Sequence, residues 1–428
     1  MRFLYSLVLL LLLPFALSWL MWRTLRQTGH ADRLGERFGS SPYLARNEII
    51  WVHGASVGEI RAAAPLVKGL HQQFPQHPLL VTSFTGTGRA QAQALFGERV
   101  LVAQLPYDLP FFVNRWLKCV SPVIGIVMET EIWPNLFSAC TRRHIPLLMV
   151  SARLSERALS RYRRFRVLVR NALTQVTMIA AQTEGDAEYF RRLGAPPERL
   201  EISGNLKFDV QFPEDILAQG RALRERLFGR VTVVVAGSTR EGEESMVLQA
   251  FRTLLVKHPA CALVLAPRHP QRTTAVAELI KSAGYSCFRR SAGEARLQAG
   301  DVLLLDTLGE LACFYAAGDL AFVGGSLVPV GGHNLLEPAA LSLPVLTGPH
   351  LTNVRDIAEL LKDAGGLIVV KDAEGLGEAF IWLVGNRVTR EHIGQAAQQT
   401  VVANRGALTR TLLLVEKHIA RSRAGDVR

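Results

Sequence analysis

Hydrophobic positions along this chain fall into two regimes. From Phe3 to Trp22 they form one nearly unbroken run, interrupted by Pro14 and two serines. Beyond Glu48 they form short runs, each followed by a small-residue or polar turn and then a longer segment of mixed character. The first series covers 49–53, 79–83, 101–104, 123–128, 147–151 and 178–181. After a polar, charged stretch at 209–230, a second series covers 232–236, 262–266, 302–305, 320–323, 345–347 and 367–370. Short apolar runs alternating with helix-length segments predict parallel strands with helices on both faces. The expected fold is therefore α/β, with two Rossmann-like domains facing a cleft, because open α/β sheets take ligands beyond the carboxyl ends of their strands. The boundaries read as an anchor at 1–22, a first domain at 23–210, a linker at 211–228, a second domain at 229–395, and a C-terminal helix at 396–428 packing back towards the first domain.

As a helix, the apolar run would extend roughly 30 Å, the hydrocarbon thickness of a bilayer, which predicts a single-pass membrane anchor. A cleaved signal peptide is the competing reading, since Ala16-Leu17-Ser18 has suitably small residues. The run is longer than a usual signal core, however, and ends in the aromatic pair Trp19 and Trp22, an interface signature. Arg23, Arg26, Arg33 and Arg37 outnumber Asp32 and Glu36 on one side, against Arg2 on the other, so the positive-inside rule puts the bulk of the chain in the cytoplasm.

A length of 428 residues with 49% hydrophobic content suits two or three cored domains. Five scattered cysteines without a Cys-x-x-Cys pair indicate neither a disulfide framework nor a zinc site. The net charge of +12 is concentrated rather than spread, and no nucleic-acid module accompanies it. Arg153, Arg157, Arg161, Arg163, Arg164, Arg166 and Arg170 face one acid, Glu156, with Tyr162, Phe165, Val167 and Leu168 interleaved. That pattern fits either an anionic membrane surface or a solvated helix face.

Chemistry-bearing residues gather at the ends of the predicted strands. Trp51-Val-His-Gly-Ala-Ser-Val-Gly-Glu59 runs from a strand through a glycine turn into a helix. Gly54 and Gly58 allow close backbone approach, and Glu59 reads as a helix cap or as a base. Ser83-Phe-Thr-Gly-Thr-Gly88, Met128-Glu-Thr-Glu-Ile-Trp-Pro134 and Ser151-Ala-Arg-Leu-Ser155 follow further strands. Glu129 and Glu131 there are weak metal candidates, and no Asp-x-Asp occurs. The second half contributes Ala236-Gly-Ser-Thr-Arg-Glu-Gly-Glu-Glu244, Pro267-Arg-His-Pro270, Asp306-Thr-Leu-Gly-Glu-Leu311 and the loop 323–337. Each puts glycine or hydroxyl residues at a helix start, an arrangement that caps helices and can also hold phosphate without a metal. Glu337, about one turn into a helix beginning near Asn334, can take both hydroxyls of a ribose. Lys207, at the junction of the halves, is a candidate to neutralise a sugar carboxylate or a leaving phosphate. Neither Gly-x-Gly-x-x-Gly nor a Walker loop is present, which counts against dinucleotide oxidoreductases and nucleoside triphosphatases.

Together these motifs resemble the family of Kdo transferases, which move 3-deoxy-D-manno-oct-2-ulosonic acid (Kdo) from CMP-Kdo to a lipid A precursor in lipopolysaccharide synthesis. The motifs are His53–Glu59, Met128–Asn135, Ala152–Ser155, Leu206–Asp209, Glu241–Glu244, Pro267–Pro270 and Gly331–Asn334. Gly86 and Leu335 stand where the family often has proline. The resemblance implies a GT-B glycosyltransferase that inverts at the sugar carbon, uses no metal and no cofactor, and works at the cytoplasmic side of the inner membrane. It implies Glu59 as catalytic base and Glu129 and Lys207 as transition-state stabilisers. It further implies that the cytidine nucleotide meets Pro267, Arg268, Leu308, Gly309, Glu310, Asn334, Leu335, Leu336 and Glu337. The alternatives are a membrane-associated transferase using a UDP-sugar, a sugar-nucleotide epimerase, and a non-catalytic protein that binds anionic lipid.

Overall fold

The computed structural model describes residues 1–26, 34–40, 48–293 and 295–425. The chain divides into two compact units, one formed by Met1–Asp209 with Arg405–Arg428 and the other by Val210–Asn404.

The first unit is built on seven strands: β1 Ile49–His53, β2 Leu79–Ser83, β3 Leu101–Gln104, β4 Pro122–Met128, β5 Leu147–Ala152, β6 Met178–Ala181 and β7 Leu200–Ile202. They lie in the order β3-β2-β1-β4-β5-β6-β7, and every neighbouring pair is parallel. Both faces are covered, which is why the strands read as apolar runs rather than alternating ones. Alternate residues serve opposite faces: Ile49 and Trp51 belong to one buried cluster with Trp116, Phe137 and Val169, while Ile50 and Val52 belong to another with Leu66, Leu70 and Val415. The sequence order reverses between β1 and β4, and such a switch point opens a crevice at the carboxyl ends.

The second unit repeats the plan with β8 Thr232–Thr239, β9 Cys261–Pro267, β10 Cys287–Arg289, β11 Val302–Leu304, β12 Leu320–Val323, β13 Val345–Thr347 and β14 Leu367–Val369. Their order is β10-β11-β9-β8-β12-β13-β14, again parallel throughout. Val234 and Ala236 face one cluster, and Val233 and Val235 the other.

Two segments differ from the sequence reading. Residues 211–228, read from their charge as a linker, hold the helix Ile216–Leu227, whose Leu223 and Leu227 are core residues of the second unit. A Cβ on its Gly220 would stand 2.5 Å from that of Ala316, so the two helices touch backbone to backbone there. Residues 387–403 form a further helix of the second unit, and only the last helix, Ala407–Gly425, belongs to the first. That last helix inserts Leu414, Val415 and Ile419 beside the helix Val57–Gln73.

Arg2–Arg26 is a single helix with Pro14 inside it. Its side chains are described through Phe15 and at Leu17 and Ser18, and among the described residues no helix is long and apolar enough to cross a membrane. Asp32 and Arg33, which entered the charge count beside the apolar run, lie outside the described residues.

Candidate active site

In the first unit the motif residues converge at the carboxyl ends of β1, β2, β4 and β5. Ser56 caps the helix Val57–Gln73 by accepting from the Glu59 N–H at 3.5 Å, and Glu59 Oε2 reaches back to accept the Ala55 N–H. This reciprocal pairing is a variant of the capping box. It engages Oε2 and fixes the side chain. Burial pushes the Glu59 carboxyl up, the Ala55 N–H pulls it down, and the Glu129 charge pushes it up again, for a net rise. A Cβ on Gly54 would lie 3.1 Å from the Glu59 Cβ, so a larger residue there would press on the returning chain. Gly58 meets nothing closer than 3.8 Å and is not required on those grounds.

The loop after β2 braces this turn. Ser83 and Thr85 hydroxyls both donate to the Ala55 carbonyl, at 2.9 and 3.2 Å, and Thr85 also caps its own helix. His53 is fully buried, with Nδ1 at 2.9 Å from the Thr82 hydroxyl, and burial pushes its imidazole down to about 3. His53 and Ser56 are therefore supports of the turn: a neutral strut and a cap.

Glu129 stands at the end of β4 with φ +53°, in the left-handed region that costs a non-glycine residue about 1 kcal/mol or more. Its carboxylate lies 3.3 Å from Lys207 Nζ and 3.3 Å from Arg153 Nε. Lys207 is held by Asn205, whose side chain accepts the Lys207 N–H at 3.0 Å. Two residues later, Asp209 accepts the N–H groups of Gly406 and Leu408, at 2.8 and 2.7 Å. Glu131, half-buried beside Trp133, is pushed up to about 7 by burial and then by the charges of Glu59 and Glu129, opposed by the nearby Trp133 indole. Three carboxylates thus share one field, with a cationic pair on the middle one.

The second unit gathers the opposite charge. Arg240, at the end of β8, donates from Nε to His333 Nε2 at 3.1 Å, and a second guanidinium nitrogen meets His269. Burial and the charges of Arg268 and Arg272 lower the Arg240 guanidinium; burial and the charges of Arg240, Arg268 and Arg272 lower His269. Arg272 is paired with Glu244 at 2.7 Å, but the Arg240 guanidinium hydrogen-bonds two imidazoles and no carboxylate among the described residues. Mutually repelling cations around an incompletely paired guanidinium make an anion site.

The acids of Glu241–Glu244 hold this loop together. Glu243 is fully buried and accepts N–H groups of Arg240, Gly325, Ser326 and Leu327 at 2.6 to 2.9 Å. These four backbone donors are thus filled by the protein's own carboxylate and not left for a phosphate. A Cβ on Gly324 would stand 2.6 Å from the Thr239 Cα, so only glycine permits the two loops to meet.

Beside these cations, a cavity of about 310 Å³ is lined by Val210 to Pro213, Gly309, Leu311, Ala312 and Glu337. Glu337 is the second residue of the short helix Leu336–Ala340, 3.0 Å from Asn334 Nδ2. Burial raises its carboxyl, opposed by Asn334 and by the charge of Arg268. Gly309 turns with φ +87° and Leu308 is 80% exposed. Pro267 ends β9, and the Arg268 N–H is tied to the Thr239 carbonyl at 2.9 Å. Three expected nucleotide contacts are otherwise engaged. Leu335 and Leu336 are buried in the core, with the Leu336 N–H bonded to Asn334, and Glu310 is taken by Arg290 at 2.7 Å. Burial pushes Glu310 up, but hydrogen bonds from Arg290 and Thr307 outweigh it and leave the carboxyl low.

Arg240, His269 and His333 are the site residues that motif reading left without a role, and Glu131, read only as a weak metal candidate, joins the acidic group instead. The first three sit inside motifs already singled out, and only the sheet order reveals that the ends of β8, β9 and β12 meet. Among the described residues no three His, Cys, Asp or Glu side chains gather where they could hold a metal ion.

Residues 32–210 match the family described as 3-deoxy-D-manno-octulosonic-acid transferase (kdotransferase). The chain is 38% identical to the 3-deoxy-D-manno-octulosonic acid transferase of Haemophilus influenzae over 98% of this chain and 99% of that one. It is likewise 38% identical to the Bordetella pertussis enzyme of the same name, over 97% and 99%. Among solved structures, Acinetobacter baumannii MurG superposes with a TM-score of 0.57 at 14% identity, covering 87% of this chain and 100% of that one, a likeness of fold in two parallel-sheet α/β units. With motifs, fold and full-length similarity in agreement, the chain belongs to the family of 3-deoxy-D-manno-octulosonic acid transferases.

Proposed function

We propose that the protein moves Kdo from CMP-Kdo to a glucosamine hydroxyl of a lipid A precursor, inverting the sugar carbon. The observation that carries this reading is the gathering of Glu59, Glu129 and Lys207, remote in sequence, at one end of one sheet. Glu59 Oε1 takes the proton of the acceptor hydroxyl as its oxygen bonds to the anomeric carbon of Kdo. The bond from that carbon to the phosphate oxygen breaks, and CMP departs with the electron pair. General-base assistance of this kind is worth about 10²–10⁴-fold. The raised Glu59 carboxyl is a stronger base than an exposed glutamate, and its bond to Ala55 aims it without consuming both oxygens.

Lys207, steered by Glu129, neutralises the carboxylate of the reacting sugar acid. In the second unit Arg240 and Arg268 take the phosphate of the leaving nucleotide, so the charge is met by fixed cations rather than by a metal. The cavity beside Glu337 takes the ribose, its carboxylate accepting hydroxyls.

The acceptor is an acylated, phosphorylated disaccharide, so the enzyme works at the cytoplasmic face of the inner membrane. The apolar run 3–22 brings it there; hydropathy alone predicts a single crossing. A groove of about 500 Å³ lined by Ser155, Arg157, Ala158, Ser160, Arg161 and Arg164 presents the cations an acceptor phosphate needs. Incubation of purified protein with CMP-Kdo and the lipid precursor, followed by mass spectrometry, tests the reading: a product heavier by one or more Kdo units is expected. An unchanged acceptor, or equal transfer from a UDP-sugar, overturns it.

A further inference from the structure

The Met128–Asn135 motif ends in a residue the chemistry does not use. Asn135 is buried at the start of the helix Pro134–Arg142, and its side chain is engaged on two sides. Nδ2 donates to the Asp108 carbonyl at 2.6 Å and to the Ser6 hydroxyl at 2.9 Å, and Oδ1 accepts from Ser6 at 3.3 Å. The neighbouring contacts follow the same pattern. Asp108, 3% exposed, accepts the N–H groups of Asn135 and Leu136 and a hydrogen bond from Tyr5. Arg2 donates to Ser138 one turn further along. The polar side chains at positions 2, 5 and 6 are therefore all bound to one buried polar seat in the first unit.

The other side of this helix is apolar and uncovered. Phe3 is 83% exposed and Phe15 74%, with Leu4, Leu7, Val8, Leu10, Leu11 and Leu12 also exposed. The helix Pro134–Arg142 packs in the same buried cluster as Trp116 and Val169, whose helices carry exposed Phe111 and Val167. Just before Val167 come Arg163, Arg164, exposed Phe165 and Arg166, on the basic stretch that begins at Arg153. Apolar side chains among arginines, on helices that share one face of the sheet, match an anionic leaflet.

A crossing helix with the catalytic units on one side would carry its first turn to the opposite face. At ~1.5 Å per residue, Arg2 and Ser6 would then stand roughly 30 Å from Asn135 and Ser138, and none of these contacts would form. We propose that the N-terminal helix is seated in the cytoplasmic leaflet without crossing it, its first turn docked on Asp108, Asn135 and Ser138 and its apolar side turned into lipid. The occupant of that apolar side is an anionic phospholipid leaflet. This rests on the membrane location given above but not on the identity of the donor or acceptor.

The test uses the full chain with a protease-cleavable tag ahead of Met1, in inverted inner-membrane vesicles and in spheroplasts. Cleavage is expected in inverted vesicles without detergent and not in spheroplasts. Cleavage confined to spheroplasts overturns the proposal, and recovery of the chain in the soluble fraction overturns the membrane location with it. A second measurement requires no change of termini. Ser6→Cys with Asn135→Cys, in a background with the accessible cysteines replaced, is expected to be joined by a short bifunctional thiol reagent in native membranes, whereas Leu11→Cys with Asn135→Cys is not. Failure of the first pair to join in membranes, when it joins in detergent, also overturns the proposal.

Discussion

The two sheets end in opposite electrostatics. In the first unit Glu59, Glu129 and Glu131 crowd together, and burial with mutual repulsion raises the carboxyls of Glu59 and Glu131. In the second, Arg240, Arg268, Arg272 and His269 crowd together, and the same forces lower Arg240 and His269. One end holds its acids ready to accept a proton; the other holds cations ready to receive an anion. A nucleotide-sugar transfer needs both, since an alcohol must lose a proton while a phosphate gains charge. On the proposed function, one β/α plan serves two chemistries through the residues placed at its strand ends.

The largest expected effect comes from breaking the acidic side. Glu59→Gln keeps the cap on Ala55 but not the base, and kcat should fall by about 10²–10⁴-fold while the helix stays intact by circular dichroism. Near-normal turnover would reduce Glu59 to its capping role. In the wild type the acid limb of kcat should lie above the ordinary glutamate value, because a raised carboxyl must still be ionised to act.

On the cationic side, Arg240→Met should lower kcat/KM for CMP-Kdo by about 10²-fold, the scale of losing one charge-stabilising donor. The acceptor KM should hardly move. A smaller effect is expected at the basic surface. Reversing Arg161, Arg163 and Arg164 to Glu should raise the acceptor KM several-fold more than the donor KM, and added salt should shrink the difference, as screening requires. Equal changes in both constants would make the cluster merely structural.

The smallest effect concerns stability. Glu131 binds its proton more tightly folded than unfolded, so its contribution is complete below the ordinary value of 4.5 and is lost as pH rises through about 7. Glu131→Gln should melt higher than wild type at pH 8, by roughly 2–4 °C for each kcal/mol regained, and alike at pH 4. A difference independent of pH would place the effect in packing.

Of the fourteen strands among the described residues, twelve were legible as apolar runs because both faces of each sheet are buried. The two missed, β7 Leu200–Ile202 and β10 Cys287–Arg289, are three-residue edge strands with exposed or half-buried side chains, too short to show a period. The charge of 211–228 concealed a helix because its apolar positions, among them Leu223 and Leu227, are only a stripe among arginines and glutamates. At the site, Glu59, Glu129 and Lys207 were readable as motif residues at strand ends. Arg240, His269 and His333 were not, since their meeting depends on β8 lying between β9 and β12. The part played by Glu243 was not legible either, because an acid that fills backbone donors looks, in sequence, like one that merely precedes a helix.

Asp209 carries a consequence for how this protein can be divided. Its carboxylate holds Gly406 and Leu408 where the chain returns to the first unit, two residues from Lys207. The stretch 32–210 that matches the family description is therefore not a folding unit by itself. Expressed alone, it would expose the side of the helix Val57–Gln73 that Leu414, Val415 and Ile419 cover, and would leave the Lys207 turn without its clasp. Exchange of N-terminal domains between relatives would have to carry residues 405–425 along with the N-terminal half: two pieces of gene for one piece of structure.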